Sequence, residues 1–186
     1  MHIERSKLPG GIKPFSGANK IALGGGCHWC TEAVFQSLKG IIKVEQGYVA
    51  STGLNSELSE AVIVHFDSKA IELHTLIAIH LHTHKSTSDH SFRSKYRSAI
   101  YTFSETQEHE SKLILKKLQT DFKKTLITQV LPFSSFKASR NSLLNYYYSN
   151  PEKPFCEIYI NPKLALLKKQ FSEYFTNKDL LQVKSD

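Results

Sequence analysis

Gly24-Gly25-Gly26-Cys27-His28-Trp29-Cys30 joins two segments of different period. Before it, Ile21-Ala22-Leu23 is a short apolar run that reads as a buried strand. After it, Ala33, Val34, Phe35 and Leu38 fall on one helical face, and Gly40 ends that helix. Working outward, residues 41–49 and 61–66 are strand-like and rich in β-branched side chains. Residues 71–81 have helical spacing, and 98–103 form another strand. Ser104 with Gln107 three residues on is a capping box that opens a helix to Leu118. Residues 126–131 read as a strand closed by Pro132, and 141–149 as helix, broken by Asn150-Pro151. Leu164, Leu167, Phe171 and Phe175 give a packing helix over 163–175. Helices interleaved with strands, some strands adjacent in the chain, predict an α+β fold: a mixed β-sheet with packed helices, two-layered, as a ferredoxin-like core with extensions. Residues 1–18, with Pro9, Gly10, Gly11, Pro14 and Gly17, predict an irregular arm. Residues 19–186 predict a single catalytic domain.

At 186 residues the chain is long enough for one sizeable core. Hydrophobic residues at 40% and charged residues at 22% are ordinary for a globular protein, which argues against disordered and fibrous classes. The formal net charge of +7 comes from spread residues. Lys116/Lys117, Lys123/Lys124 and Lys168/Lys169 lie in or beside helical patterns and read as solvated faces, and no basic-aromatic strip suggests a nucleic-acid partner. No apolar run reaches the roughly 20 residues a membrane helix needs. Three cysteines are too few, and odd, for a secreted disulfide scaffold, so a reducing cytoplasmic setting is expected, and a monomer.

Cys27 follows three glycines at the start of a helix. Glycines let the backbone turn sharply and approach a substrate closely. A helix N-terminus offers unpaired N–H groups and the positive dipole end, which favour thiolate and make Cys27 a candidate nucleophile. The segment lacks the Gly-Lys-Ser/Thr of a phosphate loop, and Thr31 stands where haem attachment needs histidine. Only Cys156 remains to join the pair, too few thiols for structural zinc. A redox pair Cys27-x-x-Cys30 stays open. So does a metal site: on a strand, alternating His80, His82 and His84, with His90 following, would share a face.

The run from Gly24 to Tyr48 resembles the active-site segment of the peptide methionine sulfoxide reductase A family, whose hallmark is Gly-Cys-Phe-Trp-Gly. Ser59-Glu60-Ala61-Val62 resembles the segment around that family's essential glutamate. Lys95-Tyr96-Arg97-Ser98-Ala99-Ile100-Tyr101 resembles its Gln-Tyr-Arg-Ser-Ala-Ile-Tyr strand. Asn150-Pro151 through Phe155-Cys156 resembles its recycling-cysteine segment. The four occur in family order and span residues 20–165.

The resemblance implies reduction of methionine S-sulfoxide, free or in proteins, without a bound cofactor. It implies Cys27 as nucleophile, left as a sulfenic acid, and Glu60 as proton donor to the sulfoxide oxygen. It makes Tyr48 and Tyr96 hydrogen-bond donors to that oxygen and Trp29 the aromatic wall for the substrate methyl. Cys156, on a mobile C-terminal segment, would resolve the sulfenic acid, with Cys30 as competitor or relay. Thioredoxin, or dithiothreitol in vitro, would supply the electrons. Several positions depart from the pattern. His28 replaces Phe, bringing a titratable ring to the methyl pocket, and Cys30 replaces Gly. Ser91 stands where the family has an aspartate that organises the polar side of the site, with Asp89 two residues away. Arg93 and Lys95 replace Gly and Gln, and Glu57-Leu58-Ser59 replaces a Gly-His segment. These mark a divergent branch. The rival functions are a dithiol oxidoreductase using Cys27 and Cys30, a metal-binding protein, and a non-catalytic reader of methionine sulfoxide.

Overall fold

The computed structural model of the chain describes residues 18–176. The expected arm lies outside these except for Ala18, which begins β1 (Ala18–Gly24). Then follow α1 (His28–Gln36), β2 (Ile41–Ala50), β3 (Ser59–Asp67), α2 (Leu73–Thr83), β4 (Ala99–Thr102) and α3 (Glu105–Leu118). The chain continues through β5 (Gln129–Pro132), β6 (Ser135–Ala138), α4 (Tyr146–Ser149), a π-helical turn (Cys156–Ile160) and α5 (Asn161–Gln170). The six strands make one sheet in the order β5-β4-β1-β3-β2-β6. Its inner four pair antiparallel as 4-1-3-2, the expected ferredoxin-like core. β5 joins β4 in parallel, so the sheet is mixed.

Side chains alternate across a strand, and here the two faces bury different things. Ile21 and Leu23, Val62, Val64 and Phe66, and Ile100 face the helices, where they pack with Phe35, Leu76 and Ile79. Full burial of a side chain such as Phe35 contributes about 1.5–3 kcal/mol. Ala22, Ala61, Ile63, Ala99 and Tyr101 face the other way, with Leu131, Phe133 and Phe136 packed against them. By the same parity Glu60 and Tyr48 fall on the helix face.

The sheet is curled. β5 and β6 are separated only by Phe133 and Ser134, yet they form its opposite edges. Flat, the outer strands of six would lie about 24 Å apart, at ~4.8 Å per interval. Pro132 to Ser135 spans at most ~11 Å of chain. The connection closes because Phe133 N–H donates to Thr102 O at 2.9 Å and Ser134 N–H to Ala50 O at 2.9 Å, drawing the ends of β4 and β2 together.

Local chemistry explains most boundaries. Ser104 Oγ accepts from Gln107 N–H at 3.1 Å, the expected N-cap, while Gln107 Oε1 accepts from Phe103 N–H rather than from Ser104. The helix expected over 141–149 is split into a 3-10 turn (Asn141–Leu143) and α4, because Asn145 adopts φ 54°, the left-handed region, between them. The helix expected to Phe175 ends at Gln170, and Phe175 instead forms a bridge with Leu38.

Candidate active site

α1 begins at His28, five residues before Ala33 opens its apolar stripe, with Cys27 as N-cap residue. The Cys27 carbonyl accepts from Cys30 N–H (3.1 Å) and Thr31 N–H (3.2 Å), while its side chain makes no capping bond. The His28 N–H is taken from across the fold: Glu60 Oε2 on β3 accepts it at 3.0 Å. A carboxylate at a helix N-terminus is favoured by the aligned peptide dipoles. One buried carboxyl and one thiol thus share the first turn of α1.

The Cys30 thiol hydrogen-bonds to the Cys27 sulfur. With the backbone N–H groups of Trp29 and Cys30 it holds the Cys27 pKa below the ordinary cysteine value, although burial and the Glu60 charge oppose this. Cys30 moves the opposite way. As donor to Cys27, and itself buried, it keeps its proton far above the usual range. All three cysteines are free thiols.

The preceding glycines serve close approach. A Cβ on Gly24 would lie 2.9 Å from Glu60 O, and one on Gly25 would lie 2.4 Å from the His84 ring. Neither has positive φ, so the sharp turn expected there is not what demands glycine.

His28 is buried, and its Nδ1 donates to Gly47 O at 2.9 Å, since a carbonyl only accepts. Its Nε2 lies 3.9 Å from Glu60 Oε2, and its ring packs edge-on against Tyr48 at 5.2 Å. Tyr48 is the register partner of Glu60 across β2 and β3. Tyr96 is linked to this group through Lys95, whose Nζ lies 3.8 Å from Glu60 Oε1 and 5.0 Å from the Tyr96 ring centroid. Contact with the Tyr96 hydroxyl and then the Glu60 charge raise the Lys95 pKa. Trp29 stacks on Tyr146 at 4.1 Å and 5°, with Phe155 edge-on at 5.4 Å.

Asp89 and Ser91 are exposed in the loop between α2 and β4, and no hydrogen bond among the described residues brings them to Cys27 or Glu60. Asp89 acts on Arg93 instead. Arg93 ties this loop down, donating to Ser88 O, Lys85 O, Gly25 O and Tyr96 O. Cys156 begins the π-helical turn, fully buried, with its S–H donating to Asn150 O at 3.6 Å. It is near enough to Cys30 and Tyr146 to act on both electrostatically. It is therefore built into the helical C-terminal packing, not carried on a loose end.

The alternating histidines do not converge. They lie on the last turn of α2 and its C-cap, where side chains fan around an axis. His80 and His84, four apart, stack at 4.2 Å, whereas His82 faces Phe122 and Asp121. Burial pushes the His80 pKa down to about 3 and His84 well below its usual value. Among the described residues no group of three or more His, Cys, Asp or Glu is placed to hold a metal ion. No helix among them is long and apolar enough to cross a membrane.

Two further residues carry the site and had no sequence signal. Glu32, 2% exposed, accepts from Asn145 N–H and Tyr146 N–H at 3.1 Å each, which sets Tyr146 against Trp29. Lys163 of α5 reaches a cavity behind Cys27 and Cys30. In sequence Glu32 is one polar position on an amphipathic helix and Lys163 one of many lysines, and nothing in the chain singles out either.

Comparison with known proteins agrees with this geometry. The family model for peptide methionine sulfoxide reductase matches residues 19–175. Over 179 residues the chain is 32% identical to the peptide methionine sulfoxide reductase MsrA of Deinococcus radiodurans, covering 88% of this chain and 87% of that protein. Its fold is similar to that of Mxr1 from Saccharomyces cerevisiae in reduced form, with TM-score 0.69 and 20% identity over 78% of this chain and 92% of that one. It is also similar to Mxr1 in complex with Trx2, with TM-score 0.58 and 21% identity over 69% and 86%. A ferredoxin-like core that aims Cys27 and Glu60 at one helix N-terminus, and a match along nearly the whole described chain, lead to one conclusion: the chain belongs to the peptide methionine sulfoxide reductase family, of the A type.

Proposed function

We propose that Cys27 attacks the sulfur of methionine S-sulfoxide, free or in proteins, while Glu60 in its acid form gives a proton to the departing oxygen. The Cys27 thiolate, the sulfoxide and one proton yield methionine and a Cys27 sulfenic acid. Oxide is a poor leaving group, so this proton is what makes the S–O bond breakable. Tyr48 and Tyr96 donate hydrogen bonds to the same oxygen, and Trp29 with Tyr146 and His28 forms the wall for the methyl group. The observation that carries this reading is the meeting of a thiolate-favouring Cys27 with buried Glu60 at one helix N-terminus.

A second thiol then attacks the Cys27 sulfur, releasing water and leaving a disulfide. The resemblance implied Cys156 first. The thiol in contact with the Cys27 sulfur is Cys30, while Cys156 is turned to Asn150 O, so we place Cys30 first and let Cys156 take over the bond by exchange. Thioredoxin, the partner of Mxr1 in the Trx2 complex, is the proposed reductant. The test uses each epimer of a blocked methionine sulfoxide with dithiothreitol. Turnover is expected for the S epimer alone, abolished in Cys27→Ser and lowered roughly 10²- to 10⁴-fold in Glu60→Gln. Turnover with neither epimer refutes the reading. Mapping disulfides after one turnover decides between Cys30 and Cys156.

A further inference from the structure

Behind the two cysteines lies a cavity of about 40 Å³ bounded by Gly26, Cys27, Cys30, His80, His84 and Lys163, among others. It is too small for substrate and large enough for a water. Lys163 enters it from α5, its Nζ donating to Thr83 O at the end of α2. No carboxylate among the described residues pairs with this amine. The other groups facing it are Cys27 and Cys30 from α1, His80 and His84 from α2, and Lys85 just beyond. Arg93, from the loop before β4, acts on the two histidines.

We infer that Lys163 holds the proton Cys30 releases when Cys30 closes a disulfide with the Cys27 sulfenic acid, and returns it to the departing oxygen. This rests on the sulfenic acid chemistry proposed above. In atoms, the Cys30 S–H gives its proton to the neutral Lys163 amine, directly or through one water. The Cys30 sulfur bonds to the Cys27 sulfur, the Cys27 S–O bond breaks, and the hydroxide takes the proton back as water. No outside oxidant enters, because the sulfoxide has already supplied the oxygen.

Three observations point here rather than to plain packing. Cys30 is buried, and burial works against release of its proton whatever the state of Cys27. Burial lowers the Lys163 pKa, bringing an amine toward the neutral form a base needs. Burial makes the two histidines poor proton acceptors, and His84 already uses both ring nitrogens on His80 O and Ser98 Oγ. Lys163 thus serves as the general base, and then the general acid, of disulfide closure.

The full chain carrying Cys156→Ser, in which only Cys27 and Cys30 can bridge, is mixed with one equivalent of blocked methionine S-sulfoxide and no reductant. Methionine, dimedone-trapped sulfenic acid and disulfide are followed across pH. With Lys163 present, closure is expected to outrun trapping. With Lys163→Met the sulfenic acid should persist, closure slowing roughly 10²-fold relative to methionine release. Lys163→Arg keeps a donor to Thr83 O but is permanently charged and cannot accept the proton, so it should also close slowly and lose the pH dependence. Closure at the parent rate in both variants, at every pH, overturns the inference. If Lys163→Met does not fold, the Arg variant and Lys163→Gln decide it by the same measure. Absence of any methionine release in the parent would instead refute the reaction itself.

Discussion

Glu32 allows a sharp test of how the fold builds its substrate wall. Glu32→Ala leaves Asn145 N–H and Tyr146 N–H without their acceptor. Hydrogen bonds to a charged group contribute about 1.5–3 kcal/mol each, a gross loss of about 3–6 kcal/mol. Two effects offset part of it. Asn145 is exposed, so its N–H regains water, and the variant no longer buries a carboxylate. The net expectation is about 1–3 kcal/mol, which for a chain of this length lowers Tm by about 2–12 °C. Burial raises the Glu32 pKa above its ordinary value even though the two N–H bonds and others pull it down. A carboxyl that binds its proton more tightly folded than unfolded stabilises the protein at low pH. That contribution is lost as pH climbs from 4.5 through the raised value. Glu32→Gln should remove this slope. It should also cost stability near neutrality, because its amide offers one oxygen to two donors and sets NH₂ against an N–H. Calorimetric unfolding across pH 4–8 reads both effects, and substrate titration should show KM rising more than kcat falls, since Tyr146 loses its place on Trp29. If Glu32→Ala unfolds at the parent temperature with the parent pH slope, the reasoning fails.

Removing the donor in Cys30→Ala should raise the Cys27 pKa, since that bond is the largest influence lowering it. Slower alkylation of Cys27 at neutral pH, in a Cys156→Ser background, is the expected reading, and an unchanged rate would show that the helix N-terminus alone sets the thiolate. Gly47→Ala would set a Cβ 2.3 Å from Lys137 O and 2.6 Å from the Phe136 ring. It should part β6 from β2, disturb the carbonyl that holds His28 and cost about 1–3 kcal/mol, measured as a lower unfolding midpoint.

What could be read from the chain was what is determined locally. The cap at Ser104 needs only its own next turn, and β1 and β3 are short apolar runs that read as strands by themselves. What escaped depends on distant partners. Ser135-Phe136-Lys137-Ala138 is short and mostly exposed, and becomes β6 only because β2 presents an edge to it. The start of α1 at Cys27 was legible from the three glycines before it, although His28 and Trp29 turn their rings to the site and add nothing to the apolar stripe. The histidines of α2 alternate in sequence yet sit on a helix, where apolar neighbours on all sides blur the period. Cys27 and Glu60 became legible as a pair through family resemblance; no spacing in the chain predicts that β3 caps α1.

The short link between β5 and β6 bears on how these molecules behave in a crowd. An open sheet offers two rows of unpaired peptide groups, a template on which another chain can add a strand. Here one dipeptide draws the adjoining ends of the two outer strands toward each other. Each outer strand has only four residues; one ends in Pro132, which has no N–H to offer, and the other carries Lys137. Exposed strands of other chains find little here to pair with.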